Sequence, residues 1–342
     1  MHIRRVRASL RGWGGVGAMA IVCALAALLT LLLPTASRGG DGSTGIGGSG
    51  VADASQVQAR DKAEACTDPQ DQSLAPDTVD GASVEAIKER GYLLVGVDQN
   101  SYGWGYRDPN SQEDDVELEG FDIDLARRIA QELLGSPDDI RFKAIPTNQR
   151  IPAIQSGQVD MVVRTMTISC SRLEEVSFSA PYFLTGQQVL APVTSGISGY
   201  DDSLADQRIC SASGSTAYER LEADQKAGDL AGGADITTTV PNQLDCLVRL
   251  QLGEVDAVVT DGALAASQAA QDPTVMLKGE RFTTEYYGVA MKKGADDLVR
   301  RVNQILEDYR QDGGWEDSYN RWLSDTMGTT SESATPPVPA YR

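Results

Sequence analysis

Polar and charged side chains follow a short apolar run in the stretch GQVDMVVRTMTISCSR, residues 157–172. Residues 159–163 are largely apolar, which favours a parallel strand that is buried on both faces. The chain then turns polar and supplies Arg164, Thr165, Thr167 and Arg172. Open α/β sheets bind ligands beyond the carboxyl ends of their strands, so these guanidinium and hydroxyl groups are candidates for binding an anion.

A second stretch, GEVDAVVTD at 253–261, repeats the Gly-x-Val-Asp-x-Val-Val pattern and ends in Asp261 instead of an arginine. Guanidinium groups after one strand and a carboxylate after the other indicate two lobes that face one zwitterion. A further strand, YLLVGV at 92–97, ends at Asp98, and Tyr102 follows it in a loop broken by glycine. We expect Asp98 and Tyr102 to contact the ligand as well, although the loop could instead be a surface turn.

The composition argues against several other kinds of site. The chain of 342 residues carries a formal net charge of -19, which disfavours nucleic-acid binding because phosphate contacts need clustered Lys and Arg. His2 is the one histidine of the sequence, so a His-based metal site or a Ser/His catalytic pair is excluded. We expect no metal, no cofactor and no nucleic-acid partner.

The N-terminus is typical of an exported protein, because four arginines precede an uncharged, largely apolar run at 16–33. This run is long for a signal peptide and barely long enough to span a bilayer, so residues 1–34 are interpreted as a signal peptide or a signal anchor. Lipidation at Cys23 is a further alternative. Residues 35–80 begin with a Gly/Ser-rich stretch and are predicted to form a flexible tether. We expect the protein outside the cytoplasm, at the cell surface or anchored to the membrane.

Four cysteines follow Cys23, and an even number in an exported chain favours two disulfides. We predict one disulfide between Cys210 and Cys246, inside the second lobe. The other would join Cys66 to Cys170 and attach the end of the tether to the first lobe.

The segment GFDIDLARRIAQEL at 120–133 places apolar residues at three-four spacing and acids in its first turn, as expected of a helix packed on a sheet. It resembles the signature of the family 3 extracellular solute-binding proteins, the receptors of polar amino-acid ABC transporters. Further segments between 81 and 323 resemble the family in the same order: RIPAIQSGQVDMVV, TMTISCSR, VSFSAPYF, RICSASGSTAYERL, YYGVAMKKGADDLVRRVNQIL and GWEDSYNRWL.

The resemblance implies a two-lobed α/β fold of the periplasmic-binding-protein type II, in which each lobe is a mostly parallel sheet flanked by helices. Lobe 1 would comprise residues 81–187 and 285–325, and lobe 2 would comprise residues 188–284. Residues 326–342 are expected to be a disordered tail. An amino acid bound between such lobes bridges them and drives their closure.

The resemblance also implies roles for the residues at the strand ends. Arg172 matches the family's arginine for the ligand α-carboxylate, and a planar guanidinium suits that role because it donates two parallel hydrogen bonds. Asp261 matches the acid that receives the α-ammonium group. The hydroxyls of Thr165 and Thr167 would lie beside Arg172.

Four more residues are expected to complete the ligand site. Ser215 and Thr216 open a helix whose free N–H groups can face an anion. Arg150 and Arg164 are additional cations near strand ends, and the phrase NQRIPAI around Arg150 resembles the members that bind acidic amino acids. We therefore expect an anionic ligand side chain, although Arg150 could instead pair with a neighbouring acid at the surface.

The predicted function is capture of glutamate, or of aspartate, glutamine or asparagine, and its delivery to ABC transporter permease subunits. We expect a monomer without enzymatic activity. One alternative is a tethered sensor that reports to a membrane partner. Another is an enzyme on the same fold, of the cyclohexadienyl dehydratase or murein-cleaving type.

Overall fold

The computed structural model describes residues 66–111 and 117–342. The helices in these ranges are, in chain order, α1 Ala82–Arg90, α2 Phe121–Leu134, α3 Arg150–Gln155, α4 Cys170–Glu175, α5 Thr216–Ala227, α6 Gln243–Gln251, α7 Gly262–Gln271, α8 Asp296–Gln311, α9 Gly314–Trp322 and α10 Ser324–Met327. Short 3-10 helices occur at Pro69–Asp71, Thr147–Gln149, Asp202–Leu204 and Glu332–Ala334.

The strands are, in chain order, β1 Leu93–Val97, β2 Asn100–Ser101, β3 Gly105–Tyr106, β4 Ile140–Ala144, β5 Met161–Val162, β6 Val176–Phe178, β7 Phe183–Thr185, β8 Gln187–Pro192, β9 Arg208–Ala212, β10 Asp235–Val240, β11 Ala257–Asp261, β12 Val275–Lys278, β13 Glu285–Tyr287 and β14 Ala290–Lys292. Two five-stranded sheets organise them, one in each lobe.

Sheet 1 has the strand order β4-β1-β5-β14-β6. β1 runs parallel to β4 and β5, whereas β14 runs antiparallel to β5 and β6. The strand predicted at 159–163 is confirmed as β5 but is shorter. It ends early because the chain turns at Thr165, whose φ of 41° lies in the left-handed region.

Sheet 2 has the order β10-β9-β11-β8-β12 and repeats the same pattern. β9 runs parallel to β10 and β11, and β8 runs antiparallel to β11 and β12. Each sheet is therefore mixed, with two parallel and two antiparallel pairings, and helices pack on it. This arrangement confirms the predicted two-lobed α/β fold, but the sheets are mixed and not mostly parallel as expected.

Two short strands connect the lobes side by side. β7 and β13 pair antiparallel, with Thr185 opposite Glu285. Gly186 follows β7, and a Cβ there would lie 2.1 Å from the carbonyl oxygen of Thr283, so only glycine fits between the two connections. The first connection thus lies at β7, just before the predicted lobe boundary at 187/188, and the following strand β8 belongs to sheet 2.

An aromatic cluster in the core of lobe 1 supports these connections. The ring of Trp104 packs edge-on against Phe121, Phe183 and Tyr287, with a centroid distance of 4.8 Å to Phe183. Phe183 lies on β7, Tyr287 on β13 and Phe121 at the start of α2. Because all four rings are buried, the start of α2 and both connections between the lobes are held against one core.

The structure contains both predicted disulfides. Cys66 is joined to Cys170 at the start of α4. Cys210 on β9 is joined to Cys246 on α6. The first attaches the beginning of the described chain to lobe 1, and the second attaches a helix of lobe 2 to its sheet.

The ends of the folded region differ from the expectation of a long tether and a disordered tail. Within 66–80, Ser73 is buried and donates its hydroxyl to the carbonyl oxygen of Phe178 at 2.9 Å. In the tail, Arg281 donates to Ser333 at 2.9 Å and Tyr341 donates to Glu307 at 3.0 Å. Both segments are ordered because their polar groups find partners on the lobes.

The predicted signal segment 1–34, the lipidation alternative at Cys23 and residues 35–65 of the tether lie outside the described residues. Among the helices of the described ranges, none is long and apolar enough to cross a membrane.

Candidate ligand-binding site

Arg172 lies at the surface where lobe 1 meets lobe 2. It belongs to the first turn of α4, which begins after Ser169, and the Ser169 hydroxyl accepts the Arg172 N–H at 3.4 Å. The guanidinium group is buried and donates to the carbonyl oxygen of Thr167 at 2.7 Å. Its second nitrogen donates to the carbonyl oxygen of Gly214, in lobe 2, at 3.1 Å. Arg172 therefore points from lobe 1 toward the β9–α5 turn of lobe 2.

Arg150 lies beside Arg172 at the start of α3. Its Nε donates to the carbonyl oxygen of Thr147 at 2.9 Å, and Nη2 donates to the same Gly214 carbonyl at 3.4 Å. Burial lowers the pKa of Arg150 well below its usual value, and the charges of Arg172 and Arg164 lower it further. Because this concentration of positive charge is costly in a buried place, it favours an anion there.

Arg164 is fully buried and already has an acidic partner. Its guanidinium forms an ion pair with Asp98 at 2.9 Å and donates to the Thr147 hydroxyl at 3.1 Å. It also donates to Asn242 Oδ1 in lobe 2 at 3.1 Å. Arg164 was expected to be an additional cation for an anionic ligand side chain, but Asp98 already neutralises it, because the end of β1 brings Asp98 to the end of β5.

Asp98 also organises the loop that follows β1. Its carboxylate accepts the N–H groups of Gln99 at 2.8 Å and Asn100 at 3.1 Å, and the hydroxyl of Ser101 at 2.9 Å. Tyr102, by contrast, is 42% exposed, and its ring packs edge-on against Tyr106. The structure thus brings Asp98 into the buried polar cluster but leaves Tyr102 at the surface.

Asp122 is a buried carboxylate of this cluster that sequence reasoning assigned only to the first turn of a helix. Its Oδ2 accepts the N–H of Thr165 at 3.0 Å and its Oδ1 accepts the hydroxyl of Tyr182 at 2.8 Å. Burial raises the pKa of Asp122 to about 7. Asp122 therefore holds the left-handed turn at Thr165. The carbonyl oxygen of Thr165 then accepts from Arg150, and that of Thr167 accepts from Arg172. In the sequence, the alternating acids at 122 and 124 were the only indication of this role of Asp122.

Asp261 ends β11 and lies at the start of α7. Its Oδ2 accepts the hydroxyl of Tyr287 at 2.5 Å. Burial raises the pKa of Asp261 to about 7, and the nearby charge of Glu285 raises it as well, while Arg172 and Arg150 act in the opposite direction. Asp261 is thus a buried acid within electrostatic reach of the two arginines across the lobes.

Glu285, at the beginning of β13, was missed by sequence reasoning. Its carboxylate accepts the side chain of Gln187 at 2.9 Å, the hydroxyl of Thr283 at 3.0 Å and the hydroxyl of Thr216 at 3.2 Å. A lone glutamate before an aromatic pair carries no local signal of burial. Only the pairing of β7 with β13 brings it beside the second lobe's turn.

Ser215 and Thr216 lie at the start of α5, directly after Gly214. The Ser215 hydroxyl accepts the N–H of Tyr218 at 3.1 Å and so caps the helix. The N–H groups of the first helical turn remain a site that favours an anion. Gly214 itself adopts a φ of 75°, and a Cβ there would lie 3.0 Å from Asn148 Cα of lobe 1, so the lobes approach closely at this turn.

The arrangement separates charge across the seam between the lobes. Lobe 1 contributes the guanidinium groups of Arg150 and Arg172, whose hydrogen bonds within the described residues all go to backbone carbonyl oxygens. Asp261 of lobe 2 and Glu285 of the connecting strand β13 contribute carboxylates. Such a site can bind a small molecule that carries an anionic and a cationic group. The four cysteines at 66, 170, 210 and 246 are disulfide-bonded and supply no nucleophile.

Residues 93–325 match the model of a protein family described as bacterial extracellular solute-binding proteins, family 3. The chain is 32% identical over 243 residues to the ABC transporter glutamine-binding protein GlnH of Bacillus subtilis, covering 71% of this chain and 85% of the relative. It is 29% identical over 273 residues to the glutamate-binding protein GluB of Corynebacterium efficiens, covering 75% and 85%.

Among solved structures, the fold is similar to that of a solute receptor for L-cysteine of Neisseria gonorrhoeae. The TM-score is 0.66 at 27% identity, and the likeness covers 75% of this chain and 99% of the other.

Proposed function

Because the chain belongs to the bacterial extracellular solute-binding proteins of family 3, we propose that it captures an amino acid between its lobes and delivers it to the permease of an ABC transporter. The observation that carries this proposal is the seam where Arg172 and Arg150 of lobe 1 converge on Gly214 of lobe 2. The protein would act as a monomer outside the cytoplasm, held near the membrane by its N-terminal segment.

The charges at the seam support one orientation of the ligand. The α-carboxylate would replace the Gly214 carbonyl as the acceptor for Arg172 and would face the N–H groups at the start of α5. The α-ammonium group would lie against Asp261. Thr165 and Thr167 would complete the lobe 1 side, since Asp122 holds their turn in place.

Closure follows from this orientation. A ligand whose carboxylate is bound by lobe 1 and whose ammonium is bound by an acid of lobe 2 gains both sets of contacts only when the lobes are together. The connecting strands β7 and β13 are three residues each and are the natural place for the required rotation. The closed form would then be the one that the permease recognises.

We propose glutamate as the preferred ligand, with Arg150 as the partner of its side-chain carboxylate. Arg150 and Arg172 are two buried guanidinium groups without a carboxylate partner in the described part of the chain, and glutamate brings two carboxylates. Arg164 contributes less to this choice than expected, since Asp98 offsets its charge. Glutamine, the ligand named for the Bacillus relative, is the main competitor.

A calorimetric titration of the purified protein with each of the twenty amino acids tests the proposal. We expect glutamate to bind more than tenfold more tightly than glutamine, and Arg150→Met to narrow that ratio. Arg141→Met, which changes an exposed arginine of lobe 1, serves as the control. A preference for a neutral or basic amino acid would overturn glutamate but not amino-acid binding, and binding of no amino acid would overturn both.

An enzyme on the same fold has one observation in its favour. Asp122 and Asp261 are buried acids with a pKa of about 7, and such acids are frequent in active sites. Both carboxylates, however, are engaged by tyrosine hydroxyls and have positions suited to binding. We propose that the protein is no enzyme, and incubation with prephenate, arogenate or peptidoglycan should then leave each compound unchanged.

A further inference from the structure

The helix that carries Arg172 is short and depends on its attachment to the rest of lobe 1. α4 has six residues, and a helix of that length has too few internal hydrogen bonds to be stable alone. Just before it, Ile168 donates its N–H to the carbonyl oxygen of Tyr286 at 2.8 Å, and just after it Val176 begins β6. Between these two points, the position of Arg172 is set by the contacts of α4 itself.

α4 is attached to lobe 1 in both of its halves. In the second half, Leu173 packs against the core beside β6, and its carbonyl oxygen accepts the side chain of Lys293. In the first half, Cys170 forms the disulfide with Cys66. Cys170 and Arg172 belong to the same helical turn, so the disulfide fixes the backbone two residues before the guanidinium group of the ligand site.

The other end of this disulfide is also held in place. Cys66 begins a segment in which Ser73 is buried. The Ser73 hydroxyl donates to the carbonyl oxygen of Phe178 at 2.9 Å and accepts the side chain of Asn303, from α8, at 2.8 Å. Asn303 also donates to the carbonyl oxygen of Leu74 at 2.6 Å. The segment is thus docked on lobe 1 by buried hydrogen bonds, and Cys66 is a fixed point to which α4 is joined.

The two disulfides of the described chain differ in accessibility. Cys210 and Cys246, which join β9 to α6, are fully buried. Cys66 is exposed and Cys170 is half-buried. Thiol–disulfide exchange requires the attacking sulfur to reach the disulfide, so a small thiol in solution reaches the pair at 66 and 170 and is excluded from the other.

An open cavity of about 560 Å³ lies beside the accessible disulfide. Its lining includes Cys66 and Cys170, the two cations Lys293 and Arg342, and the acid Glu174. The volume admits a small molecule, and the charges of these three ionised side chains sum to a positive value. The cavity therefore favours a small thiol that carries an additional negative group.

We propose that the Cys66–Cys170 disulfide positions Arg172 for the ligand, and that exchange with a small anionic thiol releases α4 and weakens amino-acid capture. This inference rests on the proposed function, because it concerns the affinity of the amino-acid receptor. Cys66 lies outside the residues 93–325 that match the family, so the attachment adds a segment beyond that region to the ligand site. Cys66 and Cys170 are positioning residues, since they act through Arg172.

The exchange consumes two molecules of the thiol. A thiolate attacks Sγ of the exposed Cys66, the bond between the two protein sulfurs breaks, and its electron pair leaves on Sγ of Cys170. A second thiolate attacks the mixed disulfide and releases Cys66. The two reagent thiols are oxidised to one disulfide, and their protons pass to the two cysteines. Binding weakens because the first turn of α4 must then be ordered when the ligand binds.

Calorimetric titration of the full chain with glutamate tests the positioning. Cys66→Ala removes the disulfide without altering α4, and it should weaken glutamate binding about tenfold. The α-amide of glutamate lacks the carboxylate proposed for Arg172, so its affinity should fall less than threefold. Cys210→Ala combined with Cys246→Ala removes the buried disulfide and is the matched control, which should lower the unfolding temperature but leave the ratio of the two affinities unchanged. An equal loss for both ligands in Cys66→Ala would overturn the positioning of Arg172.

Reduction of the wild type tests the exchange. Treatment with mercaptoethanesulfonate, a small anionic thiol, followed by alkylation and mass mapping should modify Cys66 and Cys170 and leave Cys210 joined to Cys246. The uncharged mercaptoethanol should react more slowly at the same thiolate concentration. The reduced protein should show the affinity loss of Cys66→Ala, and reoxidation should restore the affinity. Equal rates for both disulfides, or selective reduction without loss of glutamate affinity, would overturn the proposal.

Hydrogen exchange in the ligand-free protein separates this proposal from the proposed function. The N–H of Leu173 donates to the carbonyl oxygen of Ser169 at 2.9 Å and reports on the first turn of α4. Cys66→Ala should speed exchange of this N–H about tenfold and leave the N–H groups of α6 unchanged. If the wild type binds no amino acid, the proposed function fails, but faster exchange at Leu173 still supports the attachment of α4. Unchanged exchange would overturn the positioning while leaving amino-acid binding intact.

Discussion

The central strands of the two sheets, β5 and β11, are built alike at their amino ends. Each follows a glycine in the left-handed region, Gly157 with φ 71° and Gly253 with φ 68°. Asp160 then accepts the N–H of Leu94 at the start of β1 at 2.8 Å, and Asp256 accepts the N–H of Arg208 at the start of β9 at 2.9 Å. An arginine pairs with each of these aspartates, Arg90 with Asp160 and Arg208 with Asp256.

The carboxyl ends of the same strands differ in length and charge. β5 stops at Val162 and is followed by the buried Arg164 and by the left-handed turn at Thr165. β11 continues to Asp261 and leads directly into α7. The repeated pattern thus builds the same strand twice, while the residues after it supply opposite charges to the seam. We propose that the amino ends contribute to stability and that the residues after the carboxyl ends bind the ligand.

The strongest test of this comparison is Arg172→Ala, which removes the cation beyond the carboxyl end of β5. Each hydrogen bond from a charged donor to a ligand carboxylate contributes about 1.5–3 kcal/mol, so losing two should weaken amino-acid binding more than a hundredfold. Calorimetry measures the loss, and thermal unfolding should show an intact fold. Arg321→Ala, at an exposed position, is the control. Binding within threefold of the wild type would show that Arg172 is not the residue that binds the ligand α-carboxylate.

The acid at the end of β11 offers the next test, through pH. In the proposed orientation the α-ammonium group binds to ionised Asp261, and burial raises the pKa of Asp261 to about 7. The dissociation constant should therefore increase as the pH falls below about 7, up to tenfold per pH unit. Asp261→Asn should bind more weakly and lose this dependence, whereas the exposed Asp229→Asn should keep it. A pH profile that Asp261→Asn leaves unaltered contradicts the assignment.

The same raised pKa affects the stability of the ligand-free protein with a defined sign. Between pH 4 and pH 7 the native state keeps a proton on Asp261 that the unfolded state has released. Native protein thus binds more protons, and the free energy of unfolding falls as the pH rises through this window. Asp122 has a pKa shift of the same direction and adds to the effect.

The smallest expected effects concern the shared amino ends. Asp160→Ala and Asp256→Ala each leave a strand N–H and an arginine without their acceptor, so each should lower the free energy of unfolding by about 1–3 kcal/mol. The loss should be greater for Asp160, whose side chain is 17% exposed compared with 33% for Asp256. Urea unfolding measures both. Ligand affinity should change less than twofold in both variants. A tenfold change would contradict the proposal that the amino ends of β5 and β11 contribute only to stability.

Much of the fold could be predicted because it depends on local periodicity. The apolar spacing at 120–133 predicted α2, and Ile123, Ala126 and Ile129 are buried as that spacing requires. The even number of cysteines and their division between lobes predicted both disulfides correctly. The buried strands were also recognised, although their ends shifted by one or two residues.

The partners of the buried charges depended on the tertiary structure. Asp98 and Arg164 are far apart in the sequence and pair because β1 and β5 are neighbours in sheet 1. The role of Asp122 at Thr165 and that of Glu285 beside Thr216 arise in the same way, from elements brought together by packing.

The sequence by itself determined which segments form helices and strands and that polar groups follow the central strands, since both are properties of neighbouring residues. The tertiary structure alone decided the partners of the guanidinium groups. It pairs Arg164 with Asp98 and gives Arg150 and Arg172 no carboxylate partner among the described residues. The physical reason is that a buried charge responds to every group within a few ångströms, and those groups come from strands whose order in the sheet no local pattern specifies.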